Sequence, residues 1–437
     1  MSLTFLWTDI MVWILVVALM AWGFVISRSP QVKKQWQTIF KSSIAMISAM
    51  VLLVYLIFAL LDSVHFHKAK SSEMVSLLDM AFEHRIKNTE RTYSAPFAGV
   101  EYVKSIVSEE GITKQIHLPL KYVKEVSIIN ETFFALLVGI TLSIVLVGPH
   151  MLWRETKNKK RKAEHNGISW KTAYVTLSVI ILIFTWLYML SFNYHVLGTD
   201  KVGGDVLYQS LKSIRTGVLI GILTTLVTLP LAIFLGISAG LFRGWIDDVI
   251  QYIYTTLSSI PSVLLIVAAV LLMQVIIDTN PQWFETTQER SDVRLLFLVL
   301  ILGITSWTGL CRLLRAETLK ISQVEFVTAA KAFGVSKLSI IRKHIIPNLM
   351  HIILISIVLD FSGLVLAEAV LSYVGVGVDP TMHSWGNMIN QARLEMAREP
   401  MVWWSLFSAF VFMFVLVLAA NLFSDRIQTV LDPRNNS

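Results

Sequence analysis

Two carboxylates, Asp360 and Glu368, lie inside an otherwise apolar run at about 349–370. A charge at bilayer depth is costly and is retained where it faces a water-filled interior or a partner, so both are candidates for a translocation path. Packing against Ser362 or a partner helix is the plainer alternative. Glu368, near the outer end of the run, is expected to reach water. A second polar segment runs Glu325-Phe-Val-Thr328-Ala329-Ala330-Lys-Ala-Phe-Gly334-Val-Ser336 and on through His344 to Pro347 and Asn348. It reads as two short helices joined by a sharp turn. Gly334 takes the left-handed conformation that ends the first helix, Ser336 caps the second, and Pro347 marks where the chain re-enters the membrane. Ala329, Ala330 and Ala332 keep one surface low, so that the groove of another protein can approach the backbone. A third segment runs from His195 through Gly198, Thr199, Asp200 and Gly203 to Asp205. Its glycines allow a tight backbone path, and its two aspartates can accept from the exposed N–H groups of the turn and the following helix.

These are the means of docking and passage rather than of covalent chemistry. No Ser/His or His/Glu constellation lies at bilayer depth, and no Gly-x-x-x-x-Gly-Lys-[Ser/Thr] phosphate loop occurs anywhere. His65, His67 and His84 lack a supporting set of ligands at metal spacing. Cys311, the single cysteine, has no second thiol and reads as a small core residue.

The elements that must position these segments are membrane helices. With 55% hydrophobic and 15% charged residues, the chain is too apolar for a soluble surface. Nine runs reach the length of a span, at about 8–26, 44–61, 132–152, 172–192, 216–239, 258–277, 295–312, 349–370 and 403–424. Met1 to Ile26 lacks a basic n-region and a cleavage site and is expected to be a retained helix. The net charge of +7 does not point to nucleic acid, because the Lys and Arg are concentrated in short segments between spans. Residues 27–43, 153–171 and 312–343 are basic and expected in the cytoplasm, which places the N-terminus outside and the C-terminus inside. The hydrophilic stretch 62–131 then lies outside. It has a helix-like pattern at 71–88 and strand-like alternation near Ile116 to Ile129, enough for a small domain.

The segment Glu325 to Pro347 resembles the cytoplasmic loop of ABC importer permeases, with Thr328 where those proteins usually carry Glu. His195-Val-Leu-Gly-Thr-Asp200 with Gly203 and Asp205 resembles the His-Pro-Leu-Gly-Thr-Asp…Gly-Arg-Asp signature of peptide and nickel importer permeases, departing at Val196 and Gly204. Gly244-Trp245 with Asp247, Pro261-Ser262, and Ser306-Trp307 through Arg312, Arg315 and Glu317 match in order. So does the outer loop with Gly375, Gly377, Trp385, Gly386 and Asn387, as does Asp432-Pro433-Arg434. Residues 170–434 thus resemble the C-type permease subunit of oligopeptide, dipeptide and nickel ABC importers.

The resemblance implies an all-α polytopic membrane protein. Its six-helix type I importer domain at 172–434 carries coupling helices at 325–347. Before it come two extra helices at 1–61, the extracytoplasmic domain at 62–131, and a third extra helix with a basic loop at 132–171. It also implies an inner-membrane transport subunit rather than an enzyme. The implied partners are a second homologous permease, two ATPase subunits that bind the ATP and magnesium, and an extracytoplasmic binding protein. The chain itself is expected to need no cofactor and no metal. Peptides are the expected substrate. Two rivals remain at this point. An ion-coupled secondary transporter would need related halves with broken helices, and a receptor or scaffold would sense through 62–131.

Overall fold

The computed structural model describes residues 2–28, 30–67, 74–109, 112–124, 127–160, 167–284 and 286–431. Part of the basic loop at 153–171 and the Asp432-Pro433-Arg434 motif lie outside these residues. Helices dominate. They are α1 (Trp7–Arg28), α2 (Pro30–Ile39), α3 (Ser43–Asp62), α4 (Leu77–Ala81), α5 (Glu83–Lys87), α6 (Ile128–Lys160), α7 (Trp170–Leu190) and α8 (Val206–Phe242). They continue as α9 (Trp245–Ser259), α10 (Ser262–Thr279), α11 (Thr287–Ile321), α12 (Glu325–Ala332), α13 (Lys337–Ile340), α14 (Ile346–Val374), α15 (Trp385–Ala392) and α16 (Trp404–Leu431).

Eight of these helices are long and apolar enough to cross a membrane, namely α3, α6, α7, α8, α10, α11, α14 and α16. The ninth expected span coincides with α1, a helix of 22 residues. In a bilayer each N–H and C=O must be satisfied within the segment, which is why the apolar runs form helices. Two helices greatly outrun the apolar stretches at 216–239 and 295–312: α8 has 37 residues and α11 has 35. For α11 the physical reason is local. The Thr286 side chain accepts from the Glu289 N–H and starts the helix early, and no breaker intervenes before Ser322.

The chain divides into two compact units. Unit 1 holds Met1–Phe5, Leu15–Gly217 and His383–Phe423, and unit 2 holds Leu6–Ile14, Val218–Met382 and Ser424–Ser437. In unit 1, β1 (Ser2–Thr4), β2 (His65–His67) and β3 (Met74–Ser76) form an antiparallel sheet in that order. A second antiparallel pair joins β4 (Ser105–Glu109) and β5 (Ile112–Ile116). Among the described residues, the alternation near Ile116 to Ile129 makes no strand beyond Ile116. The amides of Lys121 and Tyr122 donate to the Glu90 carboxylate at 3.0 and 2.8 Å, so they are not available to a ladder. The helix-like pattern at 71–88 is realised later and in two pieces, α4 and α5. Its first three residues lie outside the described ones, and a capping box between Ser76 and Asp79 sets the start of α4. Trp385 and Trp404, each 1% exposed, are the largest fully buried side chains in unit 1 among the described residues.

Unit 2 contains a continuous apolar core. Ala232, Ile237, Ile250, Tyr254, Leu310, Leu314, Val327, Ile340, Ile345 and Leu349 belong to it, and Cys311 is buried there as a plain core residue. A Cβ at Gly236 would stand 2.8 Å from the Cys311 carbonyl oxygen, so the close approach of α8 to α11 requires a glycine. Large apolar side chains outside the cores remain exposed, among them Phe133, Ile144 and Leu152 on α6. That is the surface a helix presents to lipid.

Candidate functional site

The segment 325–347 forms a two-helix hook on unit 2. Within α12, Val327 is fully buried in the core, and Ile340 and Ile345 enter the same core from the other side of the turn. Gly334 has φ +75°. Its N–H donates to the Lys331 carbonyl at 3.0 Å, and the Val335 N–H donates to the Ala330 carbonyl at 3.1 Å. These two bonds satisfy carbonyls that the end of α12 would otherwise leave open. The Ser336 hydroxyl accepts from the Ser339 N–H and caps α13. The backbone then passes through one wider π turn, Ile341–Ile345, before α14 begins with Pro347 in its first turn.

The hook's outward surface mixes large apolar side chains with exposed Lys331, Lys337, Arg342 and Lys343. Phe333 is 87% exposed and Leu338 76%. Ala329 and Ala332 also face outward, whereas Ala330 packs against the core, so the low surface is narrower than the alanine count suggests. Glu325 is exposed at the start of α12. Thr328 is exposed too, but its hydroxyl donates back to the Val324 carbonyl at 3.2 Å and offers no charge to a partner. The His344 ring rests on Phe326 with centroids 5.8 Å apart.

Beside the hook, α9 is fixed to the end of α11. The Arg315 guanidinium donates to both Asp247 oxygens, at 2.5 and 2.7 Å. This fork holds the Asp247 carboxyl below the usual carboxylate range. Arg243 donates to the Ser322 hydroxyl at 3.2 Å, and Arg312 lies 5.3 Å from the centre of the Tyr254 ring. Trp245 is 74% exposed, as suits a membrane interface. Asp247 and Arg315 both stand in quoted motifs, yet nothing in either motif indicates that they pair.

In unit 1 the 195–205 segment is buried at His195, Val196, Gly198, Thr199, Gly203 and Asp205, while Lys201 and Val202 are exposed. His195 Nδ1 is 2.8 Å from Asp205 Oδ2, and its Nε2 is 3.8 Å from Glu90 and 3.3 Å from Arg85. Burial lowers the Arg85 pKa, and the Asp205 and Glu90 carboxylates oppose that shift. Asp200 accepts from the N–H groups of Val202 and Gly204, and Asp205 from that of Tyr208. The aspartates therefore do what their spacing suggested. The Thr199 hydroxyl donates to the Thr92 carbonyl and accepts from the Ser94 N–H, while Trp404 donates to the Thr199 carbonyl. Gly198 and Gly203 have φ of +72° and +76°. The stretch after residue 62 is thus locked to this motif through Arg85, Glu90, Thr92 and Ser94. Nearby, Lys212 bonds to Asp79, and Tyr208 donates to the same carboxylate at 2.7 Å. His383, whose ring lies 5.6 Å from that of Tyr208, is pushed down to about 4 by burial, with the Lys212 ammonium adding to the effect.

The outer-loop motif is divided between the units. In unit 2, Gly375 at φ +88° closes α14, and Gly377 lies against Ser372 with no room for a side chain. In unit 1, Trp385 donates to the Ser210 carbonyl at 3.1 Å, Gly386 is buried, and the Asn387 N–H donates to the Ser384 hydroxyl that caps α15.

The two intramembrane carboxylates have different surroundings. Glu368 is 1% exposed and accepts from the Ser372 hydroxyl at 2.7 Å, so it is buried rather than wet. A residue four positions along the same helix thus donates to one of its oxygens. Asp360 lines a cavity of about 320 Å³ in unit 2, and its Oδ2 has no hydrogen-bond partner among the described residues. Among the described residues no group of three or more His, Cys, Asp or Glu is placed to hold a metal ion.

Residues 232–437 match the family model for the binding-protein-dependent transport system inner membrane component. The oligopeptide transport system permease protein OppC of Mycobacterium bovis is 31% identical over 243 residues, 56% of this chain and 77% of that protein. The dipeptide transport system permease protein DppC of Bacillus subtilis is 29% identical over 55% of this chain and 69% of its own length. The glutathione transport system permease protein GsiD of Pectobacterium atrosepticum is 30% identical over 56% of this chain and 74% of its own length. A solved structure of the MetNI methionine ABC transporter in an inward facing conformation overlaps 52% of this chain and 97% of that one. Its TM-score of 0.41 and 15% identity are too low to bear on the fold.

Proposed function

Because this chain belongs to the binding-protein-dependent transport system inner membrane component family, we propose that it is a peptide permease subunit of an ATP-driven importer, contributing half of the translocation path. The hook at 325–347 is the observation that carries the reading. Its inner side chains, Val327, Ile340 and Ile345, are sunk in the core of unit 2, while Phe333 and Leu338 project from it. A partner that grips the outer side moves the inner side with it, and α14 follows directly from the hook.

In this reading two ATPase subunits hold the hook, bind ATP with magnesium, and close on it. Differential binding of ATP to their two states shifts the permease between outward and inward access. A second homologous permease completes the path, and a binding protein on the outer face delivers the solute. Peptides are the substrate class by likeness to the oligopeptide, dipeptide and glutathione permeases. The basic segments 27–43, 153–171 and 312–343 face the cytoplasm, with the N-terminus outside and the C-terminus inside. The chain performs no covalent step and needs no cofactor of its own. The three additional helices and residues 62–131 serve the assembly, since Arg85 and Glu90 support the 195–205 motif.

The test is co-purification of the tagged chain from mild detergent, comparing wild type with a Phe333→Asp, Leu338→Asp double variant. Both positions are exposed, so the fold is expected to survive. Recovery of an ATPase pair and a second permease with wild type, and loss of the ATPase alone with the variant, is the expected result. An ATPase retained by the variant would remove the hook from the coupling role.

A further inference from the structure

Asp360 stands at the midpoint of α14 (Ile346–Val374), about 21 Å from either end at 1.5 Å per residue. It lines the cavity in unit 2 with Thr228, Ser262 and Ser306, and the remaining lining residues are apolar. Asp360 is the one charged side chain in that lining, and its Oδ2 is buried without a hydrogen-bond partner among the described residues.

An aspartate at the centre of a membrane helix is costly to insert, and a buried oxygen left unsatisfied adds to that cost. Glu368, two turns along the same helix, avoids that situation by bonding to Ser372. The contrast between the two carboxylates is the central observation. One accepts a hydrogen bond from its own helix, and the other lines a cavity with an oxygen that accepts none among the described residues.

We infer that Asp360 is a transient site for the ammonium or guanidinium group of a cationic solute passing through this cavity. The inference rests on the importer reading and deepens it by naming a substrate class. A volume of about 320 Å³ is at the lower end for ligand sites, enough for one residue of a peptide and its side chain. A hard metal cation is a poor fit, since it takes six or more oxygen ligands and this lining supplies one carboxylate and three hydroxyls. An organic cation fits better, because its methylene stem packs on the apolar walls while its head meets Asp360. The attraction between the two charges is opposed by the cost of removing both from water. The net attraction is therefore small enough for release, as passage requires.

The test uses the whole complex in proteoliposomes with its binding protein and ATP. Import of Ala-Lys-Ala is compared with import of Ala-norleucine-Ala, in which the side chain has similar length and no charge. Comparing the two peptides within each variant cancels selection by the binding protein, which is common to all variants. Relative to wild type, Asp360→Asn is expected to lower the lysine-to-norleucine rate ratio about tenfold, and Asp360→Glu to restore it to within about threefold. An unchanged ratio in Asp360→Asn, whether both rates hold or fall together, would overturn the inference and leave the importer reading intact. Import of neither peptide by the wild-type complex would remove that reading and this site with it.

Discussion

Replacing Gly334 isolates a single physical quantity, because the structure removes every other contribution. The residue sits at φ +75°, and a Cβ built there meets no atom within 4 Å. Gly334→Ala therefore adds no clash and costs only the left-handed penalty of an L-residue, about 1–2 kcal/mol. Asparagine tolerates this conformation better, so Gly334→Asn costs less. The penalty is felt by the two bonds that end α12, from the N–H groups of Gly334 and Val335. A local cost of 1–2 kcal/mol raises the open population of that turn about 5- to 30-fold. Amide hydrogen exchange of the full-length chain in detergent reads this directly. Exchange in the peptide covering 325–340 should accelerate by that factor in Gly334→Ala and by less in Gly334→Asn, with the apolar spans unchanged. Equal protection in Gly334→Ala and wild type would refute the conformational argument. Equal and large losses in Asn and Ala would refute it too, by showing that loss of glycine itself, and not the handedness of the turn, controls the hook.

Other predictions concern charge. In a double-mutant cycle, Asp247→Ala and Arg315→Ala should show a coupling of about 1.5–3 kcal/mol in thermal or denaturant unfolding, the range for hydrogen bonds to charged groups. Additive effects would mean that the fork does not fix α9 to α11. The folded chain holds His383 neutral down to about pH 4, while an unfolded His takes up its proton near 6.5. Between those values the unfolded state binds more protons, so stability falls as pH falls through that window. His383→Gln should reduce the drop in Tm between pH 7 and pH 4.5, and an unaltered drop would assign it to other groups.

The sequence made the helices and the hook legible for the same reason: both are local. Apolar runs of span length have one stable form in a bilayer. Gly334 and Ser336 act within a few residues of their own positions, so the turn could be read from its letters. The ends of α8 and α11 were harder to read, since hydropathy marks where a helix meets lipid and not where its hydrogen bonding stops. Contacts distant in sequence were not legible. Arg85 and Glu90 carry no motif of their own, and only folding brings them to His195. The alternation after Ile116 misled because Glu90 takes up the amides of Lys121 and Tyr122, a competition no local pattern records. Asp360 and Glu368 looked alike as letters in an apolar run. One difference between them is the hydroxyl four residues further on that Ser372 provides for Glu368.

The length of α11 has a mechanical consequence. Thirty-five residues at 1.5 Å each make a rod of about 52 Å, against a hydrocarbon thickness of about 30 Å. Held along the membrane normal, the rod would leave about 22 Å beyond the lipid interior, shared between its two ends, and its final turns carry Arg315 and Ile321 next to the start of α12. Rotating such a rod by about 10° around its midpoint sweeps its tip through about 4–5 Å, while atoms at the pivot scarcely move. A small rocking of such a rod inside the bilayer would carry its end, beside the hook, through a larger stroke, with the overhang setting the gain.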